Sequence, residues 1–207
     1  MTPHRPAALL LALVLSGCGA MRSLDAAASP QDTYELLPVG NAAPARAGRS
    51  LSVEVPSASA AIATDRILIK PSPLQVAYLP GARWVEAAPV HVQSLLIRSI
   101  GNSGRAGFVS APTTAGPLPD YLLLTDIEAF QAEVQAGEPP VRVVVRLTLT
   151  LMRDVDGRVL ATRRLKRIVG APSDNAPDVI AAFNVAMSGL LGEATAWTVG
   201  AMSGAGV

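Results

Sequence analysis

Val141-Arg142-Val143-Val144-Val145-Arg146-Leu147-Thr148-Leu149-Thr150-Leu151-Met152-Arg153 decides the fold. Val141, Val143, Val145, Leu147, Leu149 and Leu151 take every second position, with Arg142, Arg146, Thr148 and Thr150 between them. Successive side chains of a strand point to opposite faces, so this run is a strand with one buried face and one wet face. Asp154-Val155-Asp156-Gly157 supplies a hairpin turn, and a return strand runs from Arg158 to Val169. An antiparallel hairpin with one apolar face needs a cover, which predicts an α/β (α+β) fold. We expect a single domain with a mostly antiparallel sheet and two main helices packed against it.

The register of the hairpin follows from burial. A two-residue loop would set Thr162, Arg164 and Lys166 opposite the apolar row. A three-residue loop with Gly157 left-handed sets Val159, Ala161, Leu165 and Val169 there instead. The second buries more apolar surface, at about 25 cal/mol per Å², and is the expected one. It leaves Arg163 and Arg167 on the apolar side, where they must snorkel at the sheet edge or find partners. It also gathers Arg142, Arg146, Arg164 and Lys166 on the opposite face.

Upstream, Tyr121–Val134 reads as a long strand with a change of parity. Tyr121, Leu123, Thr125 and Ile127 share one face, and Phe130, Ala132 and Val134 share the other parity. A bulge near Glu128-Ala129 returns both groups to one core. Downstream, Asn175 can cap a helix with Pro177 and Asp178 in its first turn. Ile180, Phe183, Met187, Leu190, Ala194 and Trp197 then form one apolar stripe to lie across the sheet. Residues 198–207 are expected to fray as a disordered tail.

Nearer the N-terminus, Leu51–Val55, Arg66–Lys70 and Leu74–Tyr78 read as strands stopped by Pro56, Pro71-Ser72-Pro73 and Pro80-Gly81. The last two are expected as antiparallel neighbours. Ser57–Asp65 reads as a loop or one helical turn. Pro89 can open a helix, with Val92, Leu95, Leu96 and Ile100 on one face and Gly101-Asn102 as its stop. Gly107-Phe108-Val109 is a brief strand. Residues 19–50 are rich in Ala, Pro, Gly and Ser, so 18–50 reads mostly as a flexible tether, with a short edge strand at Tyr34–Val39.

Leu15-Ser16-Gly17-Cys18 ends a short apolar run, Ala7–Leu15, preceded by His4 and Arg5. That run is too short to span a bilayer and suits a signal peptide. The pattern resembles a bacterial lipobox: cleavage before Cys18 removes residues 1–17, and Cys18 carries a covalent lipid. Gly19 stands where an Asp would, in many bacteria, retain the protein at the inner membrane. The expected location is therefore the outer membrane, lipid-anchored and facing the periplasm.

Composition narrows the chemistry. The chain has 207 residues, 50% hydrophobic and 4% aromatic, with one cysteine. Beyond Cys18 the charges balance at 16 basic and 16 acidic, which argues against general nucleic-acid binding. Eight of those 16 basic residues lie between Arg142 and Arg167. Arg142, Arg146, Arg164 and Lys166 read either as a solvated face balanced by nearby carboxylates or as a docking surface for an acidic partner or anionic lipid. Trp84 reads as packed or as an exposed contact beside them. His91 reads as a surface or interface residue. Asp120, Asp126 and Glu128 read as solvated or paired with the basic hairpin. No serine stands in a Gly-x-Ser-x-Gly motif, and Gly101-Asn102-Ser103-Gly104 follows a helix instead of opening one. No catalytic or metal-binding residue is identified, and no cofactor is expected besides the lipid.

The ordered set Val53-Glu54-Val55-Pro56, Thr64-Asp65-Arg66-Ile67-Leu68-Ile69, Tyr78, Arg83-Trp84, then Asp120-Tyr121-Leu122-Leu123 with Phe130-Gln131-Ala132-Glu133, the basic hairpin and a helix ending at Trp197, resembles the ABC-type transport auxiliary lipoproteins, the paraquat-inducible protein C-like group. The resemblance covers roughly residues 34–197, so a domain at 51–197 is expected to be this module. It implies a non-enzymatic periplasmic lipoprotein working with an ABC permease, its ATPase and an MCE-domain protein. Such systems are thought to move lipids or hydrophobic molecules between the inner and outer membranes. Only Cys18 transfers as a functional residue. A homo-oligomer is left open, and the alternative is a structural or assembly lipoprotein of the outer membrane or cell wall.

Overall fold

A computed structural model describes residues 31–41 and 48–204. The expected lipobox, Cys18 and most of the expected tether lie outside the described residues. The compact unit that carries the fold runs from Thr33 onward. Its elements in chain order are β1 (Asp32–Tyr34), β2 (Ser50–Val53), β3 (Ser57–Ala58), β4 (Arg66–Ser72), β5 (Gln75–Trp84), α1 (Ala88–Asn102), β6 (Phe108–Ser110), β7 (Tyr121–Val134), β8 (Val141–Arg153), β9 (Val159–Ala171) and α2 (Ala176–Gly204).

One mixed sheet of nine strands is organised around β7. On one side β7 pairs antiparallel with β8 along its whole length, from Tyr121↔Arg153 to Val134↔Val141. Its other side is shared by three short strands that run parallel to it in turn: β2 at Leu51↔Tyr121, β3 at Ser57↔Asp126 and β4 at Ile69↔Ala132. The chain leaves that edge at Pro56, which lacks a donor for the ladder, and again through the loop 59–65. The longest ladders are antiparallel, as expected. The parallel pairs exist because α1 carries the chain back over the sheet between β5 and β7, as a crossover must.

The expected bulge lies at Glu128. Ile127 pairs with Leu147 and Ala129 with Arg146, so one residue of β7 has no opposite number. Tyr121, Leu123, Ile127, Phe130 and Ala132 all reach the core, whereas Val134, the last residue of the strand, is 41% exposed.

The hairpin register also stands as expected: Leu151↔Ala161, Leu147↔Leu165 and Val143↔Val169. The turn differs. Arg153 N–H donates to the Arg158 carbonyl at 2.9 Å, closing a longer loop in which Gly157 is left-handed (φ 66°). A second irregularity between Leu151 and Met152 then restores the register, and it leaves Val159 54% exposed instead of under the helix.

Arg163 and Arg167 find their partner on α2. Glu193 accepts from Arg163 Nη2 at 3.3 Å and from Arg167 Nη2 at 2.8 Å. These groups are partly solvated, so the pairs are modest. Glu193→Gln is expected to lower unfolding free energy by about 0.5–1 kcal/mol, read from urea melts in low salt. The loss should shrink in 1 M salt, where screening is strong.

Both helices cover one face of the sheet. Asn175 caps α2 as expected, its Oδ1 accepting the Asp178 N–H at 2.9 Å. The helix does not fray at 198. Thr198, Val199 and Met202 are buried, and the Tyr121 hydroxyl donates to the Met202 carbonyl at 3.4 Å. The reason is length. A 29-residue helix spans about 43 Å, and the 14 residues of β7 span about 46 Å, so the last turns still have sheet beneath them. By length and composition α2 could cross a bilayer, yet its Phe183, Met187, Leu190 and Ala194 are fully buried against this sheet.

Other boundaries move too: β4 runs on through Pro71 to Ser72, and Ser57-Ala58, in the expected loop, is a short strand. β5 continues through Pro80-Gly81 to Trp84, because an irregularity in the β4–β5 ladder takes up both residues, with Gly81 at φ 67°. The first edge strand is Asp32–Tyr34, and residues 35–40 leave the sheet to cross α1.

Candidate functional site

The outer face of β7, β8 and β9 carries the basic residues singled out above. The Glu128 bulge decides its electrostatics. Glu128 accepts from the Thr148 hydroxyl at 2.6 Å and from Arg164 Nε at 2.9 Å, with Arg146 Nη1 3.7 Å away. The hydroxyl first, and then the two guanidiniums, hold its carboxyl below the usual value against some loss of hydration. Five residues further along β7, Glu133 accepts from Arg142 Nε and Nη2 at 3.1 and 3.0 Å and from the Gln131 amide at 2.9 Å. Burial works against ionisation of Glu133, but the Gln131 amide and Arg142 outweigh it, and its carboxyl too lies low. Carboxylates ionised this firmly neutralise arginines and do not trade protons near neutral pH.

The face is therefore mostly balanced. Of the four basic residues, Arg142 and Arg146 are paired, and Arg164 is paired but has a side chain 70% exposed. Lys166 is exposed and has no ion-pair partner among the described residues. Asp126 is tied to the Ser57 hydroxyl at 2.7 Å and Asp120 to the Ser50 amide at 2.7 Å. A shallow cleft of about 380 Å³ opens at the end of this face, lined by Lys70, Ser72, Glu133, Gln135 and Arg142 among others.

Trp84 is not part of any docking surface. It is 1% exposed, with its ring 5.6 Å from Phe130 and 5.2 Å from Phe183. The aromatic cluster claims it because β5 runs on past Pro80-Gly81 and delivers it beneath the helices.

His91 is misplaced by the sequence reading, which put it at the surface or an interface. It is 2% exposed and lies stacked 6.1 Å from Trp84. Its Nε2 accepts the Leu36 backbone N–H at 3.0 Å. That bond belongs to a strap formed by residues 35–40, which crosses α1 without a ladder. Asn184 Oδ1 accepts from Leu37 N–H at 3.0 Å, and Ser99 Oγ accepts from Val39 N–H at 3.1 Å. Asn102 Nδ2 donates to the Val39 and Gly40 carbonyls, and Arg98 pairs with Glu35 at 3.2 Å. Leu36 is fully buried beneath the strap. A sequence signal exists: His91, Arg98, Ser99 and Asn102 fall at i, i+7, i+8 and i+11, one line along α1. Beyond β1 the chain is thus held to the helices by side-chain bonds.

Among the described residues no group of three or more His, Cys, Asp or Glu side chains could hold a metal ion.

The model of the family described as the ABC-type transport auxiliary lipoprotein component matches residues 34–194. The chain belongs to that family. The match begins at Tyr34, the last residue of β1, and ends in α2, so the auxiliary-lipoprotein module includes the strap and extends beyond the expected 51–197 at its N-terminal end. The family is one of transport auxiliary components and not a known enzyme family.

An uncharacterised protein of Bradyrhizobium diazoefficiens is 31% identical over 174 residues, which cover 81% of this chain and 44% of that protein. The chain thus spans less than half the length of this curated relative. The crystal structure of a Xanthomonas campestris protein shares 25% identity at a TM-score of 0.73, covering 82% of this chain and 95% of that one. A second crystal structure, of an uncharacterised protein, has the same fold at 16% identity and a TM-score of 0.62, covering 82% and 99%.

Proposed function

We propose that this chain is the lipid-anchored, non-catalytic component of an MCE/ABC-type envelope system. That system moves lipids or other hydrophobic molecules between the inner and outer membranes. The observation that carries the reading is membership of the transport auxiliary family across the whole folded unit. Cys18 carries the lipid and holds the domain at the periplasmic face of the outer membrane. The strap receives the chain from that anchor. The partner is the MCE-domain protein, met on the β8–β9 side where Arg164 and Lys166 are exposed. The carboxylates of the open face fit a binding role, since they are committed to arginines.

Two experiments test this. The purified mature protein should co-migrate with the MCE-domain protein of its own organism, and a double charge reversal, Arg164→Glu with Lys166→Glu, should weaken the complex by about tenfold or more. Failure to bind with both partners folded would count against the transport reading and favour a structural or assembly lipoprotein. Separately, Cys18→Ser should leave an unprocessed, non-acylated precursor that leaves the outer-membrane fraction. Normal maturation of that variant would sink the anchor assignment.

A further inference from the structure

Among the described residues β9 is an edge strand with an open outer edge. It pairs there with β8 and with no other strand, and 13 residues long it is more than twice the common strand length. Arg167 Nη1 donates to the Lys166 carbonyl at 3.1 Å. That bond marks Lys166 as a residue whose main-chain groups point off the sheet, and Thr162, Arg164 and Ile168 share its parity. Thr162, Arg163, Arg164, Lys166, Arg167, Ile168 and Gly170 are all exposed. A long row of unused donors and acceptors is a template for another strand unless something blocks it.

The charge on the edge selects what can pair there. Val159–Ala171 holds four basic residues, Arg163, Arg164, Lys166 and Arg167, and no acidic one. A second copy of β9 would set these cations against their own kind, which disfavours self-pairing. An acidic strand would meet opposite charge on the outer face, at Arg164 and Lys166, while Arg163 and Arg167 on the other face are already paired with Glu193. Beyond the edge, α2 presents no cation. Gly189 stands where Arg167 crosses the helix, since a Cβ there would lie 3.1 Å from Arg167 Nε. One turn earlier, Val185 is 60% exposed.

We propose that β9 is a strand-addition site for an extended acidic segment of another protein. The segment pairs its main chain with the edge at Thr162, Arg164, Lys166 and Ile168. It sets carboxylates beside Arg164 and Lys166 and apolar residues toward Val185. The inference deepens the docking reading above by naming the mode and chemistry of contact. It does not depend on the partner being a transport protein.

The test uses the full chain and a synthetic ten-residue peptide alternating Glu and Val. Amide hydrogen exchange at Thr162, Arg164, Lys166 and Ile168 is followed as the peptide is raised to millimolar concentration. Three comparison probes are a Lys/Val twin, a twin N-methylated at alternate residues, and phosphatidylglycerol vesicles. The acidic peptide should slow exchange at these four amides. The N-methylated and basic twins should not, and Lys166→Glu should weaken the acidic peptide by about three- to tenfold. Lys166→Glu disturbs no ion pair among the described residues, so its melt should match the parent. Unchanged exchange at millimolar peptide overturns the proposal. So does equal protection by the N-methylated twin, which would mean charge attraction without strand pairing, or protection by vesicles in place of peptide. Failure of the MCE complex with success here would reject the transport reading alone.

Discussion

Trp84→Ala is expected to lower the unfolding free energy by about 3–5 kcal/mol, the range for removing a large buried aromatic. Trp84 sits where three aromatic contacts meet. Its ring lies 5.6 Å from Phe130, 5.2 Å from Phe183 in an edge-on arrangement, and stacked 6.1 Å from His91. Phe130 and Phe183 also touch each other at 5.0 Å. These residues come from the sheet and from both helices, so removing the indole opens a cavity that no single element can close by shifting. Its backbone N–H also donates to the Asp65 carbonyl at 2.7 Å, which pins the end of β5. Domains of this size hold about 5–15 kcal/mol in all, so the variant should melt far earlier in urea. Trp84→Phe, which keeps most of the apolar contact, should cost much less. An unchanged urea midpoint for Trp84→Ala would mean the cluster is not a keystone. The variant should also lose partner binding, because part of it is unfolded. That loss must not be read as the removal of a contact, and a melt run beside each binding assay separates the two.

The sequence reading succeeded where burial had one answer. In β7 and β8 the alternating apolar rows favoured one face, although Leu122, Leu124, Val144 and Met152 stand on the other, so the ends of both strands and the bulge at Glu128 were legible. The register of β9 was legible for the same reason. Its cost, two arginines on the apolar side, led to the correct expectation of partners, although Glu193 on α2 could not be named in advance. Reading failed where the chain obeys distant geometry. Pro80-Gly81 is an ordinary stop, and only pairing with β4 carries β5 past it. The last turns of α2 look like a tail unless the length of β7 beneath them is known. His91 was offered to solvent, and Trp84 was left between packing and an exposed contact, because a polar or amphipathic side chain has two plausible homes. The strap was missed because its donors are backbone groups, which sequence patterning does not display, and their acceptors lie about 55 to 147 positions away.

The basic face illustrates the same limit. Eight of the 16 basic residues beyond Cys18 cluster in one hairpin, which suggests a strongly positive surface. The bulge at Glu128 gives a carboxylate to Arg146 and Arg164 together, and Glu133 takes Arg142. What remains is a strand edge with Lys166 and the outer part of Arg164, a narrower feature than the composition implied and a more directional one.

Lowering the pH from about 7.5 to about 5 should loosen the strap before the rest of the domain, through His91. Leu36 N–H donates to His91 Nε2, so that nitrogen must be unprotonated and the ring proton lies on Nδ1, 3.5 Å from Glu86 Oε1. Burial pushes the imidazole below its ordinary value of 6.5; the nearby Glu86 and Glu35 resist this, and Arg98 adds to it. The unfolded chain therefore binds the proton more readily than the folded one. Stability is fully present above about pH 6.5 and falls as pH drops from there toward the folded value. One proton sets the limit, about 1.4 kcal/mol per pH unit. The lowered carboxylates Glu128, Glu133 and Asp156 respond in the same direction, but only below their ordinary values of 4.5, 4.5 and 3.8. The window between about 6.5 and 4.5 thus isolates the histidine. Protonation would place a hydrogen on Nε2 facing the Leu36 N–H, so Leu36 should be the first strap amide to exchange faster. His91→Gln keeps an acceptor within reach of Leu36 and cannot titrate, and its stability should be nearly flat across the same window. Parallel pH profiles for the parent and His91→Gln would show that the histidine does not carry the effect. A flat Leu36 exchange rate beside a falling melting temperature would show that the acid-sensitive bond lies elsewhere than the strap.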